Sequence, residues 1–220
     1  MKSILILGAG GQIAQWVIKA LATNETVHQT LLLRDATALK IKPPANAKIV
    51  EGAVEDKKLL QQIMAGQDIV YANLSGSNID ELARTIVTTM QEGHAKRMQM
   101  SQVKRLIFVL SLGIYDEVAG KFGKWNQGVI GQDLIPYALA AKSIENSGLD
   151  YTILRPAWLT DEDEIDYETT ARHEPFKGTV VSRKSVADLV TKIIAQPDLH
   201  QMASLGVNKP NTDGDKLYFM

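Results

Sequence analysis

The chain has 220 residues, enough for one large domain at the roughly 150 residues typical of domains. Hydrophobic residues make up 45% and charged residues 22%, the balance of a soluble globular protein rather than a disordered or fibrous one. Lys plus Arg total 24 against 25 Asp plus Glu, so no global field gathers nucleic acid or an acidic membrane, and the lack of cysteine removes disulfides, zinc–thiolate sites and cysteine nucleophiles.

Met1-Lys2-Ser3-Ile4-Leu5-Ile6-Leu7 superficially resembles a secretion signal, but its apolar run is short of the roughly 7–15 residues of a signal core and reads as a strand. Further aliphatic runs follow at Val27–Leu33, Ala47–Val50, Asp68–Asn73, Val103–Leu110 and Asp150–Leu154. Between them lie stretches with helical spacing: Gln12–Ala22, with Ile13, Val17, Ala20 and Leu21 on one face, Ile79 to about Gln99, and Gln132–Asn146, which ends before a capping Gly148. This alternation predicts βαβ crossovers, and strands apolar throughout predict helices on both faces of a doubly wound parallel sheet. From Trp158 the alternation breaks. The acidic run 161–166 reads as a loop facing water, followed by a strand at Thr179–Ser182, a helix at Ser185–Ala195 and a strand near Ala203–Val207. These are expected to form a small C-terminal cap, roughly 158–182 and 196–220, within a single domain spanning 1–220. No apolar run approaches the ~20 residues that span a bilayer, so a cytoplasmic protein without membrane or nucleic-acid partners is expected.

After the first strand comes Gly8-Ala9-Gly10-Gly11-Gln12-Ile13-Ala14, opening a helix. Glycines there allow a tight turn and let backbone N–H groups approach a pyrophosphate at the positive end of the helix. G-x-G-x-x-G would need a small residue at Ile13, whereas Gly8, Gly11 and Ala14 satisfy G-x-x-G-x-x-G/A.

Several further segments carry a resemblance: Leu33-Arg34-Asp35, Gly52-Ala53-Val54-Glu55-Asp56, Ala72-Asn73-Leu74-Ser75-Gly76, Leu110-Ser111-Leu112-Gly113, and Lys142-Ser143-Ile144-Glu145 with Ser147 through Pro156. Over about residues 1 to 195 the chain resembles an atypical short-chain dehydrogenase/reductase of the NmrA-like, NAD(P)H-binding group. The resemblance implies a Rossmann-type α/β fold and a dinucleotide held by Gly8, Gly10, Gly11, Gln12, Ile13, Arg34, Asp35, Ala53, Val54, Leu74, Ser75, Ser111, Lys142, Pro156, Ala157 and Trp158, with Ser111 and Lys142 as catalytic residues and no metal. Arg34 at the end of the second strand suits a ribose 2′-phosphate and so favours NADP; Asp35 could instead serve NAD.

Such enzymes usually pair a serine with Tyr-x-x-x-Lys, but here Tyr137 and Lys142 are five residues apart. If Lys142 holds the family lysine position, Ala138 holds the tyrosine position and Tyr137 points about 100° away, so Tyr137 is not expected to donate a proton. Ser111, water or Tyr115 could do so instead. His28, His94, His173 and His200 lack metal-ligand spacing and read as surface residues, and His94, Lys96, Arg97, Lys104 and Arg105 read as a solvated basic face. Two functions remain open: an NADPH-dependent oxidoreductase on a small carbonyl, quinone or flavin-like substrate, or a dinucleotide-binding sensor without turnover, as a monomer or homodimer.

Overall fold

The computed structural model describes residues 1–95 and 103–217. In chain order the elements are β1 (Lys2–Leu7), α1 (Gln12–Leu21), β2 (Val27–Leu33), β3 (Ala47–Glu51), α2 (Lys57–Met64), β4 (Ile69–Ala72), α3 (Ile79–Ala95), β5 (Arg105–Val109), α4 (Gly120–Glu145), β6 (Tyr151–Pro156), β7 (Trp158–Thr160), β8 (Glu168–Thr170), β9 (Val180–Ser182), α5 (Arg183–Ala195) and β10 (Ala203–Asn208). The main sheet runs β3-β2-β1-β4-β5-β6-β10-β8, all neighbours parallel except β10 and β8. The fold is therefore α/β, a doubly wound sheet of the Rossmann type.

Alternation along the central strand explains why it reads as one apolar run. Ile4 and Ile6 enter the core beneath α1 and α5, while Leu5 and Leu7 enter the core beneath α2, α3 and α4. Each face of the strand is covered, so neither tolerates a polar residue. Chain direction across the sheet reverses between β1 and β4, which leaves a crevice at their carboxyl ends.

Three expectations need correction. Helix α4 begins twelve residues before Gln132, because its first turns carry Gly120, Gly123, Gly128 and Gly131, poor helix formers that tertiary packing overrides. The C-terminal strands split: β7 and β9 form a separate parallel pair, whereas β10 lies in the main sheet beside β6 and carries β8 on its outer edge. The basic face is dispersed. Arg105 is buried, donating to Pro197 O, to Leu199 O at 2.5 Å and to Thr152 Oγ1 at 2.5 Å, and Lys104 pairs with Asp68 at 3.2 Å. Lys96 and Arg97, with the expected helical extension to Gln99, lie outside the described residues.

The acidic run is a loop, but it is tied back to the protein. Asp161 pairs with Arg183 at 2.9 Å, Asp163 with Lys184 at 2.6 Å, and Glu162 and Glu164 with Lys209 at 3.4 and 2.7 Å. No helix among the described residues is long and apolar enough to cross a membrane.

Candidate functional site

The crevice above β1 and β4 is a groove of two adjoining cavities, each of about 390 Å³, that share Gly11, Asn73, Leu74 and Ser75. One extends over Gly8 and Gly10 to Arg34, Asp35, Val54 and Glu55. The other extends past Gln12 and Ile13 to Ser111, Asp133, Tyr137, Leu159 and Arg183.

The glycine turn is closed by the Gly11 N–H donating to Gly8 O at 2.9 Å. Gly8 has φ +75°, which side-chain-bearing residues rarely adopt, and a Cβ there would strike the Asn73 carbonyl oxygen. A Cβ on Gly11 would strike the Asn73 side-chain amide, and one on Gly10 would come within 2.9 Å of Ala38 Cβ. Gln15 braces the turn from below, donating to Gly10 O and accepting from the Lys40 N–H, both at 2.8 Å. Gly11 caps α1 without a side-chain hydrogen bond, so the first N–H groups of the helix face the groove without a side-chain acceptor. A bare cradle with an uncapped helix above it is what an anionic pyrophosphate requires.

Beyond β2, Arg34 is exposed at the groove wall. Asp35 is engaged: its Oδ1 accepts from the Thr37 hydroxyl at 2.7 Å and the Thr37 N–H at 2.8 Å, capping a 3₁₀ turn at Ala36–Ala38. These bonds hold its carboxyl below the usual range. Val54 lines the same cavity, while Ala53 beside it does not.

At the other end the register differs from the expected one. Ile130, Asp133, Leu134 and Tyr137 line the cavity from one face of α4. The Tyr137 phenol oxygen accepts the Gly76 N–H at 3.3 Å. Ala138 packs on the core beneath α4, and Lys142, about 140° around the helix from Tyr137, is exposed and outside the lining. Four residues after Tyr137 stands Ala141, fully buried, so the chain has no lysine one turn below this tyrosine.

Ser111 and Ser75 line the cavity, but Pro156, Ala157 and Trp158 do not. Their groups are committed to packing: the Ala157 N–H donates to Val207 O at 2.9 Å, the Trp158 N–H to Thr179 O at 3.1 Å, and the Trp158 indole to Asn126 Oδ1 at 2.9 Å. Leu159 reaches the cavity in their place. Tyr115 is turned away, its hydroxyl donating to Glu145 at 2.8 Å and its ring covered by the Arg172 guanidinium at 4.1 Å. Burial, with the Glu145 bond, pushes this phenol up to about 12. It is not a free proton donor.

The loop between Ser111 and α4 is held by Glu117, 5% exposed. Its carboxylate accepts from the Gly113 N–H at 3.1 Å, the Tyr115 N–H at 2.9 Å and buried Arg155. Residue reading of the sequence missed Asn73, Asp133, Leu159 and Arg183. Asn73 was legible in Ala72-Asn73-Leu74-Ser75-Gly76, immediately after a strand, where cofactor-facing residues fall; Leu159 and Arg183 come from β7 and the start of α5, which no local pattern links to the glycine turn.

Fold and groove together define a nucleotide-binding protein of the Rossmann class. The chain belongs to the NAD(P)H-binding family, whose model matches residues 8–197. It is similar over its whole length to a Rossmann-fold NAD(P)-binding family protein from Shigella flexneri, with 51% identity, 100% of each chain covered and a TM-score of 0.84. A short-chain dehydrogenase/reductase from Veillonella parvula, solved in complex with NADP, is 26% identical over 99% of each chain, with a TM-score of 0.85. Among curated proteins, an uncharacterized sugar epimerase, YhfK, of Bacillus subtilis is 25% identical over 221 residues, 96% of this chain and 90% of its own. The residues present fit a nicotinamide dinucleotide: the turn can pack this closely against Asn73 only with glycine at Gly8 and Gly11, and the N-terminus of α1 above it carries no side-chain cap.

Proposed function

We propose that the protein is an NADP-dependent oxidoreductase acting on a small molecule that bears a carbonyl or conjugated acceptor. The observation that carries this reading is that the Tyr137 hydroxyl and Ser111 line the same cavity, continuous through Asn73 and Ser75 with the glycine cradle. A bound reduced nicotinamide would supply hydride to the acceptor; the chain has to supply the matching proton and a dry place for the transfer. Ile13, Leu74, Val109, Leu134 and Leu159 line that cavity with apolar surface, which keeps water from competing. Tyr137 accepts one N–H from Gly76, which leaves its own proton free for a substrate oxygen, and Ser111 can hold that oxygen. In this reading Tyr137 takes the proton-donor role considered for Ser111, water or Tyr115, Ser111 orients the substrate oxygen, and Lys142 has no part in the chemistry.

Preference for NADP follows from the division of work between Arg34 and Asp35. The carboxylate is committed to Thr37, whereas the guanidinium is exposed at the groove and suits a 2′-phosphate. The alternative, a sensor without turnover, drew support from the missing Tyr-x-x-x-Lys tyrosine and from the lack of a recognisable substrate motif; Tyr137 in the cavity weakens the first of these and leaves the second. Purified protein with NADPH and a panel of quinones, flavins and aldehydes tests the choice: consumption of the reduced cofactor supports the enzyme, and stoichiometric binding with no consumption sinks it.

A further inference from the structure

The cavity beside Tyr137 holds one cation among the described residues that line it, Arg183, and one acid, Asp133 on α4. Arg183 is fixed at its root. It is the first residue of α5, and the preceding Ser182 is fully buried, accepts the Ser185 N–H at 3.0 Å and donates to Glu164 O at 2.8 Å. Lys184, the next cation, is directed elsewhere: it pairs with Asp163 and lies 5.5 Å over the Trp16 ring.

What Arg183 does with its charge is lopsided. Its side chain is 18% exposed, but the carboxylate that neutralises it, on Asp161, is 78% exposed and meets only Nη1. A guanidinium offers five N–H donors in a fork that matches a carboxylate or phosphate on two of them. Here one donor goes to Asp161, and among the described residues the rest have no protein acceptor. Asp161 sits in the acidic loop, in water, where a single ion pair is weak and readily exchanged. The arrangement is a largely buried cation in the wall of a mostly apolar cavity, lightly held by a partner that solvent can take over.

We propose that Arg183 binds an anionic oxygen group in this cavity, and that the group is a carboxylate on the substrate. The proposal rests on the reading of this cavity as the substrate end of the groove and narrows the substrate to an anionic class. A phosphate of the cofactor has the same chemistry but already has the glycine cradle and the uncapped α1.

The test is binding rather than turnover, so it stands apart from the oxidoreductase reading. Benzoate and its neutral isostere benzamide are titrated by calorimetry into protein saturated with NADP⁺. The expected result is benzoate binding about tenfold tighter than benzamide, with the difference lost in Arg183→Gln and kept in Lys184→Gln. Asp161→Asn removes the competing carboxylate at an exposed position that cannot unfold the chain, and should tighten benzoate alone. If Arg183→Gln fails to fold, Asp161→Asn decides: unchanged benzoate affinity overturns the proposal. Equal binding of the two probes, with NADP⁺ affinity about tenfold lower in Arg183→Gln, would assign the anion to the cofactor and overturn the substrate claim. No effect on either ligand overturns it entirely. A benzoate preference in a protein that consumes no NADPH leaves this inference intact and removes only the enzyme.

Discussion

The Gly76 N–H donates to the Tyr137 phenol oxygen at 3.3 Å, joining the loop after β4 to the middle of α4 across the groove. Tyr137 lines the cavity that contains Ser111 and Gly76 follows Ser75 in its wall, so the bond ties the face of α4 that the cavity sees to the loop after β4.

The consequence is a reversal of the roles that the five-residue spacing implies. Tyr137→Phe is expected to lower NADPH-dependent turnover by about 10²–10⁴-fold, the usual value of a positioned acid, with cofactor affinity unchanged. Lys142→Ala, at an exposed position outside the lining, should alter neither. Steady-state rates with calorimetric affinities for both variants check this; a Lys142→Ala protein with weakened cofactor binding would restore the family register.

Gly11→Val should remove dinucleotide binding while the protein still folds. The new Cβ displaces the Asn73 side-chain amide, which among the described residues is held by a 3.3 Å bond from the Tyr71 hydroxyl and can move, and the added branches should crowd the turn where a pyrophosphate would lie. Gly8→Ala is the contrasting case. It must adopt φ +75° against a backbone carbonyl that cannot yield, so the melting temperature itself should fall. Circular dichroism and NADPH titration separate the two behaviours.

Arg34→Ala should cost NADP(H) about tenfold in affinity and leave NAD(H) unchanged, the value of one charge-assisted contact to a 2′-phosphate. Asp35→Ala releases the 3₁₀ turn at Ala36–Ala38 but should not invert the preference, because the carboxylate is spent on Thr37. Paired titrations of both cofactors measure the ratio, and equal affinities in the unmodified protein contradict the NADP assignment.

Where the sequence was readable follows from burial. β1, β2, β5 and β6 lie inside the sheet, so each carries a buried aliphatic run, Ile4–Leu7, Leu31–Leu33, Leu106–Val109 and Ile153–Leu154, that stands out without any tertiary knowledge. β8 is three residues on an edge, Glu168-Thr169-Thr170, with no such pattern. The glycine turn was legible because its chemistry is local. The orientation of Tyr137 was not, since it depends on how α4 rotates as it packs against α3, and α4 itself is hidden by its glycines and Pro136. Arg105 and Arg155 illustrate the same limit: a charged residue in a strand reads as exposed, and only the tertiary carbonyls of Pro197 and Leu199, or the carboxylate of Glu117, permit its burial.

Glu117→Ala is expected to destabilise the protein by about 3–5 kcal/mol, the cost of leaving a buried guanidinium without its partner. Arg155 is 0% exposed and could not recover solvent, and the Gly113 and Tyr115 N–H groups lose their acceptor at the same time. Urea denaturation measures the loss. Because the same carboxylate holds the loop that follows Ser111, residual activity in the folded fraction should fall as well; a stable variant with loosened kinetics would mean that Arg155 finds another acceptor.

Alkaline stability is the last expectation, and its sign follows from two phenols, buried Tyr71 and half-buried Tyr115. Burial, opposed by the Ser204 bond and reinforced by the Glu145 bond, raises Tyr115 to about 12, and burial alone raises Tyr71 further. An unfolded tyrosine ionises near about 10, so above that pH the unfolded chain binds fewer protons than the native one and stability must fall as pH rises. The contribution is complete below about 10 and is lost as pH passes through about 12 for Tyr115. The urea midpoint should therefore hold steady from about pH 8 to 10 and then drop. Tyr115→Phe should lower the midpoint at neutral pH, since the bonds to Glu145 and Ser204 go, yet make the alkaline decline shallower because one ionising group has been removed. A decline as steep as in the unmodified protein would mean that Tyr115 does not keep its proton in the native state.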